Sequence, residues 1–449
     1  MTLLRVLAVA GAAAALVAPQ RRIAARGKSA LRGSPADWPG ALNEACDVEE
    51  AYDARPLSVG SAAALVAGTT VGAGVLALPA ATAGAGFAYS SGVLVGSWAF
   101  MALAALLVAE TSVAVVCSTG RADLGFLATV NALLGPRVGG VAGGAYAFIH
   151  YALLVAYAAQ GGALAATAVG ADPAVGALAF TGVLGGAVAF GSEEFVDALN
   201  NAFVVAVLGS FCGLLFYGSD AFESARLFSV EPSGAEAFKA LPISILALVY
   251  HNVVPLIATR LKGDRTKITQ AVLLGSAVPL VMFIAWNGLV LGAAGPVEGD
   301  PVAALVNADP DEARELGIAV GLFAFSAVVT SFVGFYFGLR VYVKDVLVPL
   351  APKLADSEPL LAAIVLGPPA ALAAFDPTVF LGALDAAGTF GITTLFGVVP
   401  AACAYALRRE DPGRERYVPG GDATLAVMAA LSLAVVVEGA ADLLAGGAG

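Results

Sequence analysis

One stretch constrains this chain more than any other. Gly68-Thr-Thr-Val-Gly-Ala-Gly-Val-Leu-Ala-Leu-Pro79 lies inside an apolar span, yet it carries two internal glycines, Gly72 and Gly74, and ends on a proline. In a helix interior each Gly costs ~1 kcal/mol and Pro ~3 kcal/mol relative to Ala. Backbone without helical hydrogen bonds survives at membrane depth only where protein buries it or where it lines a water-filled cavity. A broken first helix therefore points to a cavity near the membrane midplane and to a carrier that binds something there. The competing reading is close helix packing, because Gly is frequent in membrane helices.

The rest of the chain requires a bilayer. Of 449 residues 59% are hydrophobic and only 13% charged, which a soluble domain of this size does not need. Crossing ~30 Å of hydrocarbon takes ~20 apolar residues. Eleven such spans can be marked: 58–80, 88–115, 139–167, 172–190, 196–217, 240–259, 270–294, 317–339, 358–375, 380–407 and 423–445. No Ser/His/Asp set, phosphate loop, ATP-binding segment or His/Cys metal spacing is present. The expectation is a protein that is not an enzyme, has no cofactor or metal and binds no nucleic acid. Its partners would be a small molecule, a coupling proton or sodium ion, and the lipid bilayer.

Charge fixes orientation. Lys and Arg gather before span 1 and after spans 2, 6, 8 and 10; the opposite side holds only Arg226, Lys239 and Arg314 of the 23. The N-terminus is expected on the positive side and the C-terminus across the membrane. Residues 1–55 read as an N-terminal targeting segment. Residues 3–17 are apolar but too short to span, Arg21, Arg22, Arg26, Lys28 and Arg32 follow, and no acid precedes Asp37. That pattern suits an organelle address, with a plastid (chloroplast) envelope favoured over a secretory signal or an unordered cytosolic tail, and the plasma membrane or another endomembrane as alternative locations. Residues 123–138 read as an amphipathic helix at the interface, ended by Gly135-Pro136.

Span 6 is interrupted as well, by Pro242 and by Leu248-Val-Tyr-His-Asn-Val-Val-Pro255. Interruptions at corresponding places in spans 1–5 and 6–10 point to an inverted repeat with a midplane site. The expected fold is an all-α membrane protein with about 11 transmembrane helices. Residues 56–407 form a 5+5 inverted repeat with broken helices 1 and 6, and 408–449 a loop and accessory helix 11.

Ionisable side chains inside spans are functional candidates by default. They are Glu110 in span 2, His150 in span 3, His251 in span 6 and Asp385 in span 10. Tyr146, His150, Tyr157 and Gln160 fall within an arc of roughly 80° on span 3, a stripe that faces either a ligand or neighbouring helices. On span 8, Ser326, Thr330, Gly334 and Gly338 recur every four residues, the spacing of close packing. Phe325, Phe332 and Tyr336 form an aromatic stripe on another face, for packing or for an aromatic ligand. A half-helix N-terminus suits a carboxylate and a half-helix C-terminus an ammonium, so two breaks suit a zwitterionic amino acid.

Three motifs carry a resemblance. The 68–79 stretch followed by Gly84-Ala-Gly-Phe87, Val249-Tyr-His-Asn-Val-Val-Pro255, and Thr330-Ser-Phe-Val-Gly-Phe-Tyr-Phe-Gly-Leu339 followed by Lys344-Asp345 resemble the first, sixth and eighth helices of the tryptophan/tyrosine permeases. The likeness extends to their plant and algal plastid branch, described as tyrosine-specific-transport-like, and covers about 56–445. It implies the fold of the amino acid/polyamine/organocation transporters and aromatic amino acid uptake, driven by protons in bacterial relatives. It implies substrate contact from Thr70, from the backbone of Gly72, Ala73 and Gly74, and from Tyr250, His251 and Asn252. Tyr146, His150 and Phe325 join that expected substrate set. Thr330 and Ser331 would face the site that holds sodium in sodium-coupled cousins. Leu339-Arg-Val-Tyr-Val-Lys-Asp345 departs from the more acidic Phe-Asp sequence usual in bacterial members.

The expected function is a secondary active, alternating-access transporter of tyrosine and tryptophan, a proton symporter with Glu110 or His251 as the coupling residue. Two alternatives stand: a broader neutral amino acid carrier, sodium-coupled through Thr330 and Ser331, and a non-transporting membrane sensor or scaffold.

Overall fold

The computed structural model describes residues 57–119, 124–228, 233–294 and 310–446. The expected targeting segment lies outside them. Every regular element among the described residues is helical. The first span consists of α1 (Val59–Thr70), a 3₁₀ turn (Ala73–Ala77) and α2 (Leu78–Thr82). Then come α3 (Gly86–Thr119), α4 (Phe126–Val169), α5 (Pro173–Phe190) and α6 (Glu193–Ala221). A short α7 (Gly234–Lys239) precedes the sixth span, which comprises α8 (Leu241–Ala247), a 3₁₀ turn (His251–Val253) and α9 (Val254–Arg260). α10 (Arg265–Ala294), α11 (Pro310–Leu347), the short α12 (Pro352–Ala355) and α13 (Glu358–Phe375) follow. The tenth span is α14 (Phe380–Ala386), a π-helical stretch (Ala387–Val398) and α15 (Val399–Glu410); α16 (Gly421–Gly446) closes the described chain. Among the described residues ten helices are long and apolar enough to cross a membrane; one of them, Ala73–Thr119, joins the second half of the first span to the second span, and the shorter α1 supplies the first half of the first span.

Local chemistry sets the boundaries. Ser58, Asp172 and Ser192 cap α1, α5 and α6 by accepting from backbone N–H groups, and Pro173 takes the first position of α5, where a missing N–H costs nothing. Gly170 ends α4 in the left-handed region (φ 68°), which glycine adopts without penalty. The helix expected to end at Gly135-Pro136 does break there, at a kink across which α4 runs on. Gly135 takes φ 78°, the chain turns, and α4 continues, while Phe126 and Val130 are buried rather than lying on a membrane surface.

Burial separates a core from a rim. The apolar windows of the sixth, eighth and tenth spans are 72%, 67% and 67% buried, against 28%, 28% and 22% for the fifth, ninth and eleventh. The rim helices present their apolar sides outward, as lipid-facing helices do. α1 lies along α10, α11 packs between α6 and α4, and α16 lies along the tenth span.

Candidate functional site

The first break is held by the eighth span. Val71 and Gly72 are extended (φ −74°, ψ 100° and φ −150°, ψ −173°). The Ala73 N–H, first of the restarted helix, donates to Ser331 Oγ at 2.8 Å. A Cβ on Gly72 would stand 2.6 Å from that same Oγ. A Cβ on Gly74 would stand 3.1 Å from Leu246 Cδ2 and 3.2 Å from Ala247 Cα. Both glycines are thus close-approach positions, one against α11 and the other against the end of α8. Trp286 of α10 donates its indole N–H to Val75 O at 3.0 Å. The Thr70 hydroxyl turns back to Val66 O in its own helix.

The sixth break begins where α8 stops at Ala247; Tyr250 is non-helical (φ −148°, ψ 11°). Tyr250 and His251 are both fully buried, and their rings stack at 5.2 Å. His251 also stacks on Phe396 at 4.8 Å. The Tyr250 hydroxyl lies toward Ser276 and the His251 ring toward the Met101 backbone, neither closing a well-formed hydrogen bond. Asn252 is exposed. Phe396 was not among the expected residues. It lies in the π-helical stretch, and π-bulges frequently accompany functional sites.

The stripe on the third span faces the eighth, and its rings bridge the two. Tyr146 and His150 rings lie 3.9 Å apart, and His150 Nδ1 pairs with Tyr146 O at 2.8 Å. Tyr146 meets Tyr342 at 5.4 Å, and Phe335 meets His150 at 4.9 Å and Tyr157 at 5.7 Å. A Cβ on Gly338 would stand 2.7 Å from His150 Nε2, so this glycine admits the imidazole between α4 and α11. Phe325 packs edge-on against Phe180 (6.0 Å) and Phe203 (6.1 Å), side chains of α5 and α6. Thr330 donates to Ala327 O in its own helix. Of the expected ion-coupling set, Ser331 and His251 lie at the breaks.

Glu110 is elsewhere. Its carboxylate accepts from Arg408 Nε (2.8 Å), Arg408 Nη2 (2.9 Å) and the Tyr417 N–H (2.9 Å), partners on the tenth span and the loop after it. Asn287, weaker on sequence grounds, bridges helices: Thr82 donates to its Oδ1 and its Nδ2 donates to Ser90 Oγ.

Exposure around the breaks is asymmetric. Toward the far side, residues 73–79 and 242–248 are buried throughout, and Glu236 of α7 lies against Gly84 at the first span's end. Toward the Lys/Arg-rich side, Gly68 of α1, Asn252 and Leu256 of the sixth span, and Gly334 and Val341 of α11 are exposed. A Cβ on Gly68 or Gly334 would have no neighbour within 4 Å among the described residues.

An all-helical membrane protein with two broken helices apposed in its core defines a class, that of the polytopic transporters. The fold is similar to the manganese transporter of Eremococcus coleocola. In its complex with an aromatic bis-isothiourea substituted compound the TM-score is 0.55 at 14% identity, covering 84% of this chain and 86% of that one. For a mutant of the same transporter the TM-score is 0.58 at 13% identity, covering 87% and 88%.

The likeness in sequence is narrower. The model of the tryptophan/tyrosine permease family matches residues 56–439, and the chain belongs to that family. It is similar to the tyrosine-specific transport system 2 of Haemophilus influenzae, 29% identical over 398 residues covering 84% of this chain and 94% of the relative. It is similar to the tryptophan-specific transport protein of the same organism, 29% identical over 388 residues covering 80% and 90%. The low affinity tryptophan permease of Escherichia coli K12 is 26% identical over 402 residues, covering 83% and 93%. The chain is an integral membrane protein of a permease family.

Proposed function

We propose that this chain is a secondary active transporter of aromatic amino acids, tyrosine and tryptophan, working by alternating access with its substrate site at the paired breaks. The observation that carries the reading is the fully buried stack of Tyr250 and His251 with Phe396, beside the Gly74–Ala247 approach of the first and sixth spans. Stacked rings gain ~0.5–1.5 kcal/mol beyond area burial, which favours an aromatic substrate there. The names of the similar proteins support the same class.

The two halves form a 5+5 inverted repeat, a reading supported by interruptions at corresponding spans. Coupling is to a proton, with His251 at the break; Ser331 beside the first break supports sodium instead. The exposed path past Asn252 and Gly334 supports a conformation open to the Lys/Arg-rich side, since an exposed amide at mid-span suits water rather than lipid. Residues 1–55 address the protein to a plastid envelope, supported by their basic, acid-poor composition.

Binding of labelled tyrosine to the purified protein tests the substrate class. Tryptophan, tyrosine and phenylalanine should compete about tenfold better than alanine or serine, a difference of ~1.4 kcal/mol. A flat competition profile would return the broader neutral carrier, and absence of binding would remove the reading.

A further inference from the structure

Glu110 and Arg408 form an ion pair whose side chains are 1% and 3% exposed, closed by two hydrogen bonds in fork geometry. The pair reaches further. Arg408 Nη2 also donates to Val418 O at 3.2 Å, and the Tyr417 N–H donates to Glu110. The Tyr417 phenol then donates to Gly263 O at 2.7 Å. Burial pushes that phenol up from its ordinary range, so it stays a donor. Gly263 belongs to the tight turn 261–264, where Lys262 and Gly263 both take positive φ (57° and 69°). That turn follows directly on α9, and the other end of α9 is the His251–Val253 turn of the sixth break. One chain of contacts therefore runs from the second span through the tenth to the near end of the arm that carries His251.

We propose that Glu110 and Arg408 are a positioning pair, which fixes the positive-side end of α9 and through it the sixth break, and that Glu110 is not the coupling carboxylate. A coupling carboxylate must gain and lose its proton as the carrier alternates. Neutralising Glu110 would leave the buried Arg408 guanidinium without its counter-ion, held only by the carboxyl's remaining carbonyl oxygen and by Val418 O, while its Nη1 has no partner among the described residues already. Losing one member of a buried pair is far more costly than replacing both by neutral groups of similar volume. The inference rests on the transport reading for its activity readout but not for its structural one.

The test uses the full chain in proteoliposomes with radiolabelled tyrosine, measuring exchange and pH-gradient-driven accumulation separately. Glu110→Gln and Arg408→Gln should each lower both rates at least tenfold. The double variant Glu110→Gln/Arg408→Gln should recover at least a third of the parental rates with the parental pH profile. Tyr417→Phe, which leaves the pair intact and removes only the link to Gly263, should slow exchange about threefold. Loss of accumulation with exchange retained in Glu110→Gln would make it a proton carrier and overturn the proposal. So would a double variant no better than the single ones, or full activity in Tyr417→Phe. If a single variant fails to fold, yield and melting temperature after size exclusion make the same comparison: recovery in the double variant supports the pair, and no recovery overturns it. A parent protein that ignores tyrosine would count against the transport reading alone, while the stability comparison would still decide the pair.

Discussion

Ser331 Oγ accepts the Ala73 N–H at 2.8 Å, joining two residues 258 positions apart and tying the eighth span to the break in the first. The contact occupies a donor that the break leaves free of helical bonding. It also leaves no room for a side chain on Gly72.

A paired substitution follows from that geometry. The Cβ of Gly72→Ala would stand 2.6 Å from Ser331 Oγ but 3.9 Å from Ser331 Cβ, so the obstruction comes from the hydroxyl alone. Gly72 is extended rather than left-handed, so alanine suffers no backbone strain there. Gly72→Ala should slow uptake, because the Ser331 hydroxyl must turn away from the Ala73 N–H to admit the methyl, and adding Ser331→Ala should restore part of it. Ser331→Ala alone leaves the Ala73 N–H without its acceptor and should cost about 1–3 kcal/mol of stability, read by melting of the purified protein.

Gly74 answers to the sixth span. Its added Cβ meets Ala247 backbone at 3.2 Å, which cannot move as a side-chain tip can. Gly74→Val should push the first span from α8, with ~1–3 kcal/mol lost to overpacking and no tyrosine binding by the purified protein. Normal affinity in this variant would remove the first break from the site.

Accessibility should follow the asymmetry of exposure. Cysteines at Asn252 and Gly334, both exposed, should react with a membrane-impermeant maleimide from the Lys/Arg-rich side. Cysteines at Leu76 and Ala247, both buried, should not. Reaction at Leu76 from the far side with none at Gly334 would mean that the path opens the other way.

Both breaks were legible in the sequence, because glycine, proline and polar residues inside apolar runs conflict with a continuous helix. What the glycines approach was not, since no local pattern pairs Gly72 with Ser331. The aromatic stripe at Phe325 had the right period but an ambiguous target, and the fold sets Phe325 edge-on against Phe180 and Phe203. Arg408 stands at the end of a span, where a cation reads as a marker of orientation; only the fold shows its guanidinium turned inward to Glu110. Phe396 escaped because hydropathy does not report helix pitch. Gly388-Thr-Phe-Gly-Ile-Thr-Thr-Leu-Phe-Gly397 looks like ordinary span, yet it winds as a π-helix in which Gly388 lies against Pro242 O and Gly391 against Ile149.

Transport of an aromatic amino acid through the site at the two breaks is read out by uptake of a labelled amino acid panel by the reconstituted full chain under separately imposed proton and sodium gradients. Concentrative uptake of tyrosine and tryptophan is expected on the proton gradient alone, and none in Gly74→Val. No uptake of either under any gradient, or equal uptake by Gly74→Val and the parent, would contradict it.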